Sequence, residues 1–245
     1  MKLAKLETGP EIFLSLQGEG KNQGAPSVFV RTSRCNLYCS WCDTPYTWNW
    51  SGTSFRHEAR EKFEPASETV ELEIAEVVER VRQLACLRVV LTGGEPLLQA
   101  SECAALCRGL RQEHPGYRFE VETNGTLVPP AELDELIEQY TVSPKLASSA
   151  VEHSLRQRAP ALAFFAASAK SIFKFVVNDA GDESEAAEIA ARYDLDPDRV
   201  YLMPQAATAE RLAERRGAVA AACLARGYRF SDRLHLHLYG NGRGV

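Results

Sequence analysis

Three cysteines fall within eight residues, Cys35-Asn36-Leu37-Tyr38-Cys39-Ser40-Trp41-Cys42, with three and then two residues between them. That spacing lets one loop wrap three thiolates around a single soft metal centre. A structural zinc site would need a fourth ligand, for which His57 is the nearest candidate. An iron–sulfur cube held by only three thiolates would keep one iron open to a substrate or cofactor; a closed ferredoxin-type cluster would need a fourth cysteine much nearer than Cys86. Further along, Val89-Val90-Leu91 runs into Thr92-Gly93-Gly94-Glu95-Pro96. Paired glycines allow close backbone approach to a ligand, and Glu95 offers an acceptor for an ammonium group. The remaining cysteines, Cys86, Cys103, Cys107 and Cys223, read as small apolar packing.

The elements that position these groups belong to an ordinary globular chain: 245 residues, 45% hydrophobic, 25% charged, with a formal net charge of -5 and seven cysteines. Charges at Lys2, Lys5, Glu7, Glu11 and Glu19 give no sign of a secretory leader. The most apolar stretch, 159–169, contains Pro160 and is far shorter than the ~20 residues that cross a bilayer. A cytoplasmic protein without a membrane partner is expected, and an odd number of thiols in such a setting favours metal binding over disulfides. The mildly acidic balance argues against a nucleic-acid surface.

Short apolar strands alternate with helical patterns. Strands are expected at 27–31, 89–91, 117–121, 140–142, 172–177 and 200–202, and helices at 68–84, 97–111, 130–139, 183–192 and 208–226. Alternation of this kind implies parallel pairing with right-handed crossovers. About six such units, with no glycine-rich dinucleotide fingerprint after the first strand, predict an α/β fold, an incomplete (β/α)6 TIM-like barrel, in one domain over 1–245. Residues 32–66 form a long cluster loop bearing Trp41, Trp48 and Trp50, and both chemical motifs fall at strand carboxyl ends, where barrel active sites are built.

The cysteine triplet and the Gly-Gly-Glu-Pro loop together resemble the radical S-adenosylmethionine superfamily, whose barrel carries such loops after its first and second strands. The resemblance implies a [4Fe–4S] cluster on Cys35, Cys39 and Cys42, with an open iron that chelates S-adenosylmethionine and reductively cleaves it to a deoxyadenosyl radical. It also implies that Gly94 and Glu95 hold the methionine end, that Trp41, Cys42 and Asp43 line the adenine side, and that Ser143, Pro144, Lys145 and Gln205 complete the cofactor site.

Within that superfamily, Leu16-Gln17-Gly18-Glu19-Gly20, Arg31, Cys42-Asp43-Thr44-Pro45-Tyr46-Thr47-Trp48, Leu234-His235 and the segment 239–245 resemble the 7-carboxy-7-deazaguanine synthase family. This implies conversion of 6-carboxy-5,6,7,8-tetrahydropterin to 7-carboxy-7-deazaguanine with loss of ammonia, toward queuosine and other deazapurines. Against that substrate, Arg31 offers a planar fork for the carboxylate. Leu16, Gln17 and Gly18 read an amide-like edge, Glu19 accepts from ring nitrogens, and Thr92 adds a hydroxyl. The family pattern further implies Mg²⁺ on Thr44, substrate contacts from His235 on a short strand, and pairing of the terminal carboxylate of Val245, at the end of a tail over 234–245, with the amino-pyrimidinone edge. An electron donor such as flavodoxin and a homodimer are expected. Two alternatives stay open: an activase that installs a glycyl radical in a protein, and a non-enzymatic zinc module.

Overall fold

The computed structural model describes every residue except Thr8. Its strands are β1 (Lys2–Leu6), β2 (Gly9–Pro10), β3 (Ile12–Leu16), β4 (Pro26–Thr32), β5 (Thr69–Glu71), β6 (Arg88–Gly93), β7 (Arg118–Thr123), β8 (Gln139–Val142), β9 (Ser171–Val177), β10 (Val200–Pro204) and β11 (Arg229–Phe230). Strands β4, β6, β7, β8, β9, β10 and β11 pair in parallel in that order, while β3 and β1 pair antiparallel with β4. Among the described residues the path does not close on itself, so the barrel is incomplete, as the sequence implied.

Side-chain alternation divides the sheet into two faces. Val28, Val30, Val89, Leu91, Phe119 and Val121 are fully buried in the layer between strands and helices. Their neighbours Phe29, Arg31, Thr92 and Glu122 point into the barrel and border a cavity. On β9, Phe173, Phe175 and Val177 join the outer core, whereas Lys174 and Val176 face inward. A charge embedded in an apolar run is thus the mark of an inward rung, where water or a ligand replaces core packing.

Four expected helices differ in the structure, and the one expected at 183–192 differs only in starting earlier, as Ala180–Arg192. The pattern at 68–84 contains a strand: β5 pairs with β1, so Val70 is apolar because it lies on a sheet, and the helix proper is Ile74–Gln83, begun by a Glu73/Glu76 capping box. The segment 130–139 holds only the four-residue helix Ala131–Asp134, because Glu138 N already bonds to Phe119 O as the chain joins β8. The helix placed at 97–111 is Ala100–Glu113, entered through a 3₁₀ turn over Pro96–Gln99. The apolar stretch near Pro160 forms the helix Ala159–Ala167, with proline in its first turn. No helix among the described residues is long and apolar enough to cross a membrane.

Candidate active site

The inward rungs and the loops at the carboxyl ends of the strands enclose a cavity of about 490 Å³. Cys35, Cys39 and Cys42 all border it as free thiols. Burial pushes the Cys39 thiol up to about 12 and raises Cys35 and Cys42 as well. Three desolvated thiols become thiolates only beside a compensating cationic centre. N–H donors already aim at the sulfurs: Trp48 Nε1 donates to Cys42 Sγ at 3.3 Å and Leu37 N to Cys35 Sγ at 3.4 Å. Hydrogen bonds of this kind tune iron–sulfur clusters, so the donor set fits one.

His57, the candidate fourth zinc ligand, is engaged elsewhere. Its Nε2 bonds to the Cys42 carbonyl oxygen at 2.7 Å and its ring stands edge-on to Trp48. Among the described residues no three His, Cys, Asp or Glu side chains converge as the ligands of a single ion would.

The glycine loop is zipped to the start of the cluster loop: Gly94 N donates to Thr32 O at 3.0 Å and Glu95 N to Arg34 O at 2.9 Å. The chains approach so closely that a Cβ on Gly94 would lie 2.0 Å from Arg34 O. Gly94 borders the cavity, but Glu95 does not. The Glu95 carboxylate is fully buried and accepts from Leu97 N, Thr123 Oγ1 and Asn124 N at 3.0, 2.9 and 2.8 Å. These bonds tie the glycine loop to the end of β7 and hold Glu95 beside the cavity-lining Gly94. Ser143 and Lys145 border the cavity, and Pro144 lies between them.

On the cofactor side Trp41, Asp43, Thr44 and Gln205 also border the cavity. Lys145 Nζ donates to Ser143 Oγ at 3.0 Å and lies 5.8 Å over the Trp41 ring. Thr44 Oγ1 is 3.6 Å from Cys42 Sγ, and Gln205 Oε1 accepts from Arg215 Nη1 at 2.8 Å.

Opposite lie Leu16, Gln17, Gly18, Thr92, His235 and Val245. Glu122, which sequence reasoning missed, fixes two of them: Gln17 Nε2 and Thr92 Oγ1 donate to its carboxylate at 3.1 and 2.8 Å. Leu234 N donates to Gly18 O at 2.9 Å, and a Cβ on Gly18 would meet His235 Nδ1 at 2.3 Å, so only glycine permits this contact. The expected strand around His235 is the helix Leu234–Tyr239. Burial lowers the His235 pKa, which keeps its imidazole neutral near pH 7. Arg31 Nε donates to Glu11 Oε1 at 2.6 Å, and among the described residues no protein group takes its two terminal nitrogens. That leaves the fork at the cavity for an anion.

Glu19 borders the cavity as well, and its carboxylate is paired with protein groups. Lys174 and Arg233 both donate to it, and Arg233 continues to Asp43 and the Ala206 carbonyl. Burial alone would raise the Glu19 pKa, but Lys174 and Arg233 hold it well below its ordinary 4.5. A carboxylate with a depressed folded pKa contributes stability that is present above the unfolded value and is lost as pH falls toward the folded one. The stability gap between wild type and Glu19→Gln, measured by urea unfolding of the cluster-free chains, is therefore expected to be widest at neutral pH. It should shrink as pH drops below about 4.5.

Residues 29–147 match the family model described as the radical SAM superfamily. A 7-carboxy-7-deazaguanine synthase of Pyrobaculum aerophilum is 37% identical over 96% of this chain and 95% of its own length. One from Halobacterium salinarum is 38% identical over 94% of this chain and 90% of its own. The crystal structure of QueE from Escherichia coli superposes with a TM-score of 0.64 at 25% identity, covering 96% of this chain and 95% of that one.

Proposed function

The chain belongs to the 7-carboxy-7-deazaguanine synthases of the radical S-adenosylmethionine superfamily, and on that premise we propose how its cavity divides between cofactor and substrate. The enzyme is a lyase that converts 6-carboxy-5,6,7,8-tetrahydropterin to 7-carboxy-7-deazaguanine with loss of ammonia, in 7-deazapurine biosynthesis toward queuosine. Its [4Fe–4S] cluster and S-adenosylmethionine supply the radical chemistry; the protein supplies orientation and exclusion of water. The observation that carries the division is that three free thiols, the Gly94 backbone and the free fork of Arg31 border one cavity.

In this reading Cys35, Cys39 and Cys42 hold the cluster, and Gly94 presents backbone to the methionine end of the cofactor. Trp41, Asp43, Ser143, Lys145 and Gln205 surround the rest of it. Lys145, a point charge beside Ser143, suits a carboxylate. The substrate carboxylate is taken by Arg31, with Mg²⁺ bound through the hydroxyl of Thr44. Gln17, oriented by Glu122, reads the pterin edge together with Leu16, Gly18 and Thr92. Neutral His235 contacts the ring, while Glu19 acts through Lys174 and Arg233 by holding the cavity wall. The tail residues Asn241 to Val245 border the same cavity, which favours a small substrate over the glycyl-radical partner of an activase. A single domain, a homodimer, flavodoxin as electron donor and a cytoplasmic location complete the proposal.

Removing Gly244 and Val245 is expected to raise KM for the carboxypterin about tenfold or more, the scale of one lost charged hydrogen-bond pair. Affinity for S-adenosylmethionine should stay within a factor of about two. Steady-state kinetics with each ligand varied in turn checks this. The assignment as a whole is tested by anaerobic reconstitution and incubation with reductant, S-adenosylmethionine, Mg²⁺ and the carboxypterin. A deazaguanine chromophore in the ultraviolet supports it, and colourless zinc-loaded protein refutes it.

A further inference from the structure

The cavity wall formed by the C-terminus is fastened at one point. The Arg243 guanidinium stacks on the Tyr46 ring with Cζ 3.5 Å from its centroid. Nη1 donates to Glu68 Oε2 at 3.0 Å, and Nη2 donates to Lys5 O at 2.7 Å and Glu11 Oε2 at 3.3 Å. The tail is thereby held to the cluster loop through Tyr46, to β1 through Lys5, to the link between β2 and β3 through Glu11, and to the residue just before β5 through Glu68. All of this lies two residues before the chain ends.

Glu11 gives the arrangement a second consequence. It is fully buried, and it takes Arg31 Nε and the Tyr46 hydroxyl on Oε1 while Arg243 occupies Oε2. One carboxylate therefore bridges the tail arginine and the arginine whose fork faces the cavity. A buried carboxylate shared by two guanidiniums has its orientation fixed by both. If Arg243 leaves, Glu11 keeps only Arg31 and Tyr46 and can turn toward them, which changes how Arg31 is presented.

Resting on the synthase reading, we infer that Arg243 is a positioning residue for the substrate: it holds Val245 at the cavity and, through Glu11, sets the direction of Arg31. Arg243 borders the cavity, but its guanidinium is engaged by Tyr46, Glu68, Lys5 O and Glu11. Two ends of one small polar molecule, its carboxylate at Arg31 and its opposite edge at the chain terminus, are thus set by one guanidinium. Both the stacking on Tyr46 and the bridging of Glu11, Glu68 and Lys5 O need the planar fork, so lysine is a poor substitute.

The test uses full-length reconstituted enzyme carrying Arg243→Ala, Arg243→Lys or Glu68→Gln. For Arg243→Ala, KM for the carboxypterin is expected to rise about ten- to a hundredfold from the loss of charge-assisted bonds, with iron content and KM for S-adenosylmethionine unchanged. Carboxypeptidase Y, followed by mass spectrometry, should release Val245 from Arg243→Ala at least about tenfold faster than from wild type, a readout independent of turnover. Arg243→Lys should recover little of either effect, and Glu68→Gln should move both in the same direction by less. Unchanged trimming and unchanged pterin KM in Arg243→Ala would overturn the inference. So would a fall in kcat and iron content with KM unaltered, the outcome of a merely structural role. If wild type makes no deazaguanine while Arg243→Ala still loosens the tail, the functional reading fails and the fastening by Arg243 stands.

Discussion

Replacing Gly94 with alanine is expected to cost about 3 kcal/mol of stability, at the upper end for overpacking, and to strip most of the cluster. The added methyl would sit 2.0 Å from Arg34 O and 3.0 Å from Cys35 N, both backbone atoms that no side-chain rotation can move aside. Relief requires opening the two hydrogen bonds, Gly94 N to Thr32 O and Glu95 N to Arg34 O, that join the glycine loop to the cluster loop. The same opening displaces Cys35, the first of the thiols, and pulls on Glu95, two of whose three acceptor contacts go to the end of β7. Denaturant midpoints and iron content of the reconstituted variant check it. A variant with wild-type stability and full iron would show that the two loops are not coupled as described.

Arg233→Met is expected to destabilise the chain by about 3 kcal/mol, from the lost charge-assisted bonds to Glu19 and a buried carbonyl left without its donor. Arg233 is nearly buried and bridges Glu19, Asp43 and the Ala206 carbonyl. Without it Asp43 loses its partner, Glu19 keeps only Lys174, and a buried carbonyl is left without its donor. Because Asp43 follows Cys42 and Glu19 lies in the substrate loop, one arginine joins the cofactor side of the cavity to the substrate side. Activity should fall with stability, and Arg233→Lys should recover only a small part of either, since a single ammonium cannot span three acceptors. Urea unfolding of both variants against wild type gives the comparison.

Much of this was legible in the sequence. The thiol spacing, the Gly-Gly loop at a strand end and the alternation of strands and helices are local features, and they placed Cys35, Cys39, Cys42 and Gly94 on one cavity. What the sequence hid depends on contacts between distant segments. Strands β1 and β5 pair across about seventy residues, so Val70 looked helical until its neighbours on β1 were known. Nothing beside the two glycines showed that Glu95 also bonds to Thr123 and Asn124, where β7 ends. Lys174 and Glu122 did leave a signal, a charge alternating with apolar residues on a buried strand, which marks an inward rung of a barrel whose interior is a cavity. Arg233 and Arg243 left none, since arginines near a chain end are ordinary surface residues until the tail folds against the cavity.

The most direct test of the central claim is the number of deazaguanine molecules formed per S-adenosylmethionine consumed, measured anaerobically on protein reconstituted with iron and sulfide and supplied with reductant, Mg²⁺ and 6-carboxy-5,6,7,8-tetrahydropterin. In the proposed cycle the deoxyadenosyl radical takes a hydrogen from the pterin and the product radical takes it back, regenerating S-adenosylmethionine, so the ratio should lie well above one; Cys39→Ser should give no product. Accumulation of 5′-deoxyadenosine without deazaguanine would contradict the assignment of this substrate to this site.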